Sequence, residues 1–293
     1  MIKSTRGDNV KYELFFFKEK SRELDIHALM DFFQSKKYFS VNTSLDEVTI
    51  LYNNTEISLS ASFHLTKMSK VPDIHRLNPK YLDLDIYFSV DPMMPLYKFT
   101  VITDLVDNLC SRFNLFVYNV LFNDVSPYNK KLIETSYERI RSLYKEKYPI
   151  EYSSLNYINK DKLESSYRYI LESNSISKYY NDEYNFLPLF FVKSNLSNKI
   201  LQAVNLTLDQ PVVIPAYTDI LYIKHGEYNL VFKYKDVLEH IEKYLHDLPG
   251  FIPNTKVIDK KSLKHVKKTL TKIKIPEFNE SVKLTEMETL IDF

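Results

Sequence analysis

The sequence predicts an α+β protein. Its expected core is a mainly antiparallel, two-layer sheet with helices on one face, ferredoxin-like in character, followed by a smaller mixed α/β domain and a basic C-terminal helix. Three observations lead there. Residues 57–64 and 82–90 alternate apolar and polar side chains, the period of a half-buried strand. The segment 98–113 repeats Val101, Leu105, Leu109 and Phe113 at helical spacing between two such strands. From residue 255 the chain becomes an amphipathic lysine-rich segment unlike anything before it.

Taken in order, YELFFFK (12–18) is a strand buried on much of both faces, and 24–36 is a helix built on Leu24, Ala28, Leu29, Phe32 and Phe33. YFSVN (38–42) and DEVTILY (46–52) are short strands, and Asn53-Asn54 is expected to turn the chain because Asn tolerates positive φ. In EISLSASFHL, Ile57, Leu59, Ala61 and Phe63 oppose Ser58, Ser60, Ser62 and His64. In YLDLDIYFSV, Leu82, Leu84, Ile86, Phe88 and Val90 oppose Asp83, Asp85, Tyr87 and Ser89. Paired side by side, the two segments would make a low polar platform of serines, carboxylates and one histidine. The helix at 98–113 and the strand NLFVYNV complete a β-α-β-β-β-β-α-β order, the layout that suggests helices covering one face of a sheet.

A surface helix over 129–148, stopped by Pro149, ends the first domain, taken as residues 1–150. Residues 151–254 form the second: a helix over 160–173, a polar loop SNSISKYYNDE, then FLPLFFVK, KILQAVNL (strand or short helix), PVVIP and TDILYIK. A turn at 225–227, the strand YNLVFKY and a helix over 236–248 follow. Residues 255–293 make the third segment. Leu263, Val266, Leu270 and Ile273 define one narrow stripe, and lysine occupies the other faces. Residues 255–275 hold eight Lys and one Asp, a formal +7, whereas 276–293 carry a formal −4. The closing LTEMETLIDF is expected to be a mobile, partner-binding peptide.

Composition narrows the functions available. With 44% hydrophobic and 26% charged residues, the 293-residue chain suits a soluble protein able to bury a sizeable core. Nineteen Phe and 23 Tyr make that core aromatic. Three Gly and no Trp fit an AT-rich, most simply bacterial, coding sequence. A balance of 39 basic and 38 acidic residues gives no global attraction to nucleic acid or membrane. The lone Cys110 excludes an intramolecular disulfide framework and a Cys-cluster metal site. Gly7, Gly226 and Gly250 do not form a repeated pattern, which excludes Walker-type and dinucleotide-binding loops. No stretch approaches the roughly 20 apolar residues of a membrane span, so a cytoplasmic protein without a transmembrane segment is expected. No cofactor is indicated.

Three functional readings remain. The first is a non-enzymatic protein-interaction or scaffold module, working through a protein partner or self-association and contacted through Lys260, Lys261, Lys264, Lys267, Lys268 and Lys272. The second is a metal-assisted hydrolase of nucleic acid or phosphoesters, with Asp83, Asp85 and His64 as its catalytic group, since carboxylates with a histidine suit a hard divalent cation. The third is nucleic-acid binding by residues 260–274, although no aromatic side chain is interleaved there to stack on bases.

Overall fold

The computed structural model describes residues 10–225, 228–250 and 252–292. Helices and antiparallel sheets are mixed throughout, an α+β architecture, and the chain divides into two compact units, Met1–Leu155 and Asn156–Phe293.

In the first unit, β1 (Tyr12–Glu19) leads to α1 (Ile26–Gln34). A meander follows: β2 (Phe39–Thr43), β3 (Glu47–Asn54), β4 (Leu59–Thr66) and β5 (Tyr81–Val90). Then come α2 (Leu96–Phe113), β6 (Phe116–Tyr118), β7 (Ser126–Pro127), α3 (Lys130–Lys147) and α4 (Pro149–Ser153). All seven strands form one antiparallel sheet in the order β2-β3-β4-β5-β1-β6-β7. Since β5 and β6 flank β1 and are each antiparallel to it, α2 carries the chain over β1 between two parallel strands.

The period-two pattern sorts the side chains onto two faces. Tyr12, Leu14 and Phe16 of β1 lie opposite Val90, Phe88 and Ile86 of β5, all buried under the helices. Phe63 of β4 meets Phe33 of α1 at 4.9 Å, and Tyr12 meets Phe99 of α2 edge-on at 5.2 Å. Phe99 stacks in turn on Tyr137 of α3 at 3.7 Å. Such rings each remove a large apolar area from water, at about 25 cal/mol per Å². The opposite face carries Phe15 paired with Tyr87, Glu13 with Ser89, Ser62 with Ser89, and His64 with Tyr87.

Three local expectations change in this unit. Asn53 and Asn54 end β3 instead of turning the chain; the turn follows them, with Asn54 Oδ1 accepting from Glu56 N and Ser58 at φ 50°. Ser58 therefore precedes β4 and leaves the strand alternation. In β5 the pairing with β1 jumps from Phe16↔Ile86 to Phe17↔Asp83, so Leu84 and Asp85 form a bulge, with Asp85 at φ 55°.

The second unit holds β8 (Asn156–Ile158), α5 (Lys160–Tyr179), β9 (Asn185–Phe186), β10 (Leu189–Ser194), β11 (Ile200–Leu206) and β12 (Val212–Ile214). It continues with β13 (Ile220–His225), β14 (Tyr228–Lys233), α6 (Tyr234–Ile241), β15 (His246–Asp247), β16 (Lys256–Ile258), α7 (Leu263–Leu270), β17 (Val282–Thr285) and β18 (Leu290–Asp292). Its sheets run β14-β13-β11-β10-β17, β15-β16-β12-β9 and β18-β8. Pairs β11/β13, β9/β12 and β8/β18 are parallel. The residues expected as a polar loop after 173 continue α5 to Tyr179, and the helix expected over 236–248 stops at Ile241 before a 3₁₀ turn and β15. Of the turn expected at 225–227, His225 ends β13, and residues 226 and 227, like Gly7, fall outside the described residues.

Residues 255–293 are woven into this unit. β16 joins β12, β17 pairs with β10, and β18 pairs with β8, burying Leu290 and Ile291 almost completely. The peptide expected to be mobile is thus a structural strand: its apolar residues find a place in a sheet that only long-range pairing provides. Among the described residues, no helix is long and apolar enough to cross a membrane.

Candidate functional site

Each unit gathers chemistry-bearing side chains. On the first unit, the polar face of β3, β4, β5 and β1 bears short side chains at Ser60, Ser62 and Ser89, which border a cleft of about 440 Å³ together with Ala61, Val90 and Tyr144 from the apolar side. Lys11, Asn53 and Asp91 also border it, with Ser60 Oγ donating to Asn53 Oδ1 at 3.2 Å. Ser89 is 2% exposed, and among the described residues its hydroxyl has no hydrogen-bond partner.

Beside the cleft, His64 is held on three sides. Its Nε2 lies 2.7 Å from Ser62 Oγ, its Nδ1 is hydrogen-bonded to Glu47 Oε1, and its ring stacks on Tyr87 at 4.6 Å with planes 11° apart. Ser62 and His64 share a face because they are two residues apart on β4. Glu47 arrives diagonally, two residues from Thr49, the direct cross-strand partner of His64. Thr49 Oγ1 donates to Glu47 Oε1 at 3.3 Å. Burial, followed by the Glu47 and Glu13 carboxylates, pushes the Tyr87 hydroxyl up to about 12. Burial likewise raises the Glu13 carboxyl, opposed by His64 and Lys11.

The expected group of Asp83, Asp85 and His64 is not brought together in this way. Asp83 accepts a hydrogen bond from Ser69 Oγ and another from Asp85 N at 3.1 Å, closing the bulge on itself. Asp85 supplies that amide and offers its carbonyl to Thr66 Oγ1 at 3.2 Å. Of the candidate residues, the cleft is bordered by Ser60 and Ser62, whereas His64 faces Glu47. Among the described residues, no group of three or more His, Cys, Asp and Glu side chains is placed to hold a metal ion. The physical reason is the bulge, which gives the Asp83 carboxylate a local partner. Cys110, on α2, is buried, and burial holds its thiol in the protonated form.

On the second unit, α7 buries Val266 completely and half-buries Leu263 and Leu270. Lys260, Lys261, Lys264, Lys267, Lys268 and Lys272 are all exposed, and Lys274 with them. Among the described residues these lysines make a single ion pair, Lys267 with Asp209 at 4.0 Å. Beside the helix an apolar groove of about 420 Å³, floored by Leu206, Ile223 and Phe232, has Lys224, Lys267 and Asp209 among its lining residues.

Sequence reasoning missed Glu47, and the signal that would have found it is the β3–β4 hairpin register. Compared with protein-family models, with curated proteins and with solved structures, the chain finds no match.

Proposed function

We propose that the chain is a cytoplasmic protein-interaction module whose second unit presents the lysine face of α7 and its flanks to an acidic protein surface. The observation that carries this reading is the division of labour within the helix. Val266 of the apolar stripe is buried in the fold and Leu263 and Leu270 are half-buried, and the lysines stay in water. Lys264, Lys267 and Lys268 stand on neighbouring positions of one face, where like charges at i,i+4 cost about 0.2–0.5 kcal/mol per pair. Burying Val266 contributes about 1.5–3 kcal/mol, enough to hold the helix despite that repulsion. A charge cluster that weakens its own helix and makes little internal pairing supports a role outside the chain. The reading is confined to the second unit and requires no catalytic step.

The ferredoxin-like view of the first unit belongs to the same proposal. It is supported by the α2 crossover from β5 to β6 over β1, with a four-strand meander where a hairpin would stand in the simpler fold.

The test is a triple reversal, Lys264→Glu with Lys267→Glu and Lys268→Glu, in the full chain. Binding to polyglutamate, followed by fluorescence anisotropy, is expected to weaken at least about tenfold, which corresponds to about 1.4 kcal/mol. Capture from lysate is expected to lose acidic proteins. Duplex DNA provides the second arm: preference for it, with affinity falling steeply between about 50 and 200 mM salt, would favour the nucleic-acid reading. Equal binding by wild type and variant would remove the helix from the argument.

A further inference from the structure

The hydroxyl, imidazole and carboxylate on the first unit's polar face stand in the order that activates a serine. Glu47 Oε1 accepts the Nδ1 proton of His64, which leaves Nε2 as an acceptor 2.7 Å from Ser62 Oγ. Stacking on Tyr87 fixes the ring plane. Ser62 Oγ also lies 3.4 Å from the Ser89 carbonyl, so the hydroxyl is confined between two acceptors. A second, independent observation points to a ligand. Ser89, directly opposite Ser62 in the β4–β5 register, borders the same cleft, and among the described residues its enclosed hydroxyl finds no hydrogen-bond partner. A buried hydroxyl without a partner is costly, and an oxygen atom of a bound molecule would satisfy it. The cleft, at about 440 Å³, has the size of a small-molecule site.

We infer that Ser62 is a nucleophile, His64 its general base and Glu47 a positioning residue, in a site that hydrolyses small carboxylic esters. Ser62 Oγ forms a bond to the acyl carbon while its proton passes to His64 Nε2, and the carbonyl electron pair moves onto oxygen. The Ser89 hydroxyl, with the Lys11 ammonium at the cleft wall, supplies donors for that oxyanion. Collapse breaks the bond to the leaving alkoxide, which takes the proton from His64. Water then adds to the acyl-serine, gives its proton to His64, and releases the acid as Ser62 Oγ recovers that proton. The hydrolase expected from the sequence thus keeps His64 and exchanges Asp83 and Asp85 for Glu47 and Ser62, with no metal in the scheme.

The experiment uses the full chain, a fluorophosphonate probe and p-nitrophenyl acetate. Fluoride leaves the probe as Ser62 Oγ bonds to phosphorus, so the expected result is one phosphonyl adduct per chain, mapped to Ser62 by peptide mass. Ser62→Ala abolishes it, and His64→Gln slows both labelling and acetate release at least about 10²-fold. Glu47→Gln lowers kcat with KM unchanged, and Glu47→Asp recovers part of the loss, which a merely structural role would not give. Folded wild type that carries no adduct on Ser62, or His64→Gln labelled at the wild-type rate, overturns the inference. The wild-type mass map needs no variant to fold.

Discussion

At Asp83, burial and hydrogen bonding pull the carboxyl in opposite directions. Burial is the larger influence and raises it above the ordinary carboxylate range; the bonds from Ser69 and from the Asp85 amide act the other way. The folded state therefore keeps this proton to a higher pH than the unfolded chain does. Where it does so, the native state binds more protons, and stability falls as pH rises through the folded value. Asp83→Asn can keep both hydrogen bonds without the titration. Its stability relative to wild type is expected to improve steadily as pH is raised through that range, measured by urea unfolding at several pH values; parallel curves would refute the assignment. Strand periodicity was enough to place Ser60, Ser62 and His64 on one polar face. Periodicity says nothing about which acid reaches the imidazole. Glu47 does so only because the β3–β4 register puts Thr49 opposite His64.

The elements show where a local pattern is sufficient and where it is not. β1, α1, α2 and α3 form close to their expected positions because each carries its own apolar run or helical period and buries it. The β5 bulge is different. YLDLDIYFSV reads as an unbroken strand, yet Asp85 is left-handed, a conformation that costs an ordinary L-residue about 1–2 kcal/mol and that Asp adopts more readily than most. Asp85→Val is accordingly expected to lose about 1–2 kcal/mol, the β-branch being the poorest fit to positive φ. Asp85→Gly is expected to stay within about 0.5 kcal/mol of wild type, in the range of ordinary surface changes. Denaturant unfolding of the two variants measures this, and equal losses would mean that the aspartate side chain, not the backbone, matters there. In α5 the polar run after residue 173 remains helical, with the half-buried Ile176 two turns beyond the buried Tyr169 on the same side of the helix. The Tyr169 hydroxyl donates to the Leu187 carbonyl at 3.0 Å. Polar composition alone suggested a loop.

Across the whole molecule, the C-terminal residues carry weight that their composition conceals. Removing residues 282–293 deletes β17 from the edge of the five-stranded sheet and β18 from beside β8, and takes Val282 off the cluster of Val192, Ala203 and Ile220. Leu290 and Ile291 alone account for about 3–6 kcal/mol of burial, a large part of the 5–15 kcal/mol typical of a folded domain. The truncated chain is expected to lose the second unit's thermal transition and retain the first unit's; two unchanged transitions would show that the closing strands are dispensable. Partner binding is therefore better tested by reversing lysines than by truncation. The sequence by itself determined the α+β class, the polar and apolar faces of the central strands, the exclusion of glycine-rich phosphate loops and the lysine helix, because each follows from a short-range period or from composition. Tertiary structure alone decided that the final peptide becomes two strands, that a bulge ties Asp83 to its own loop, and that Glu47, His64 and Ser62 meet. Each of those depends on which distant strands pair and in what register, an energy shared between segments that no single stretch of sequence contains.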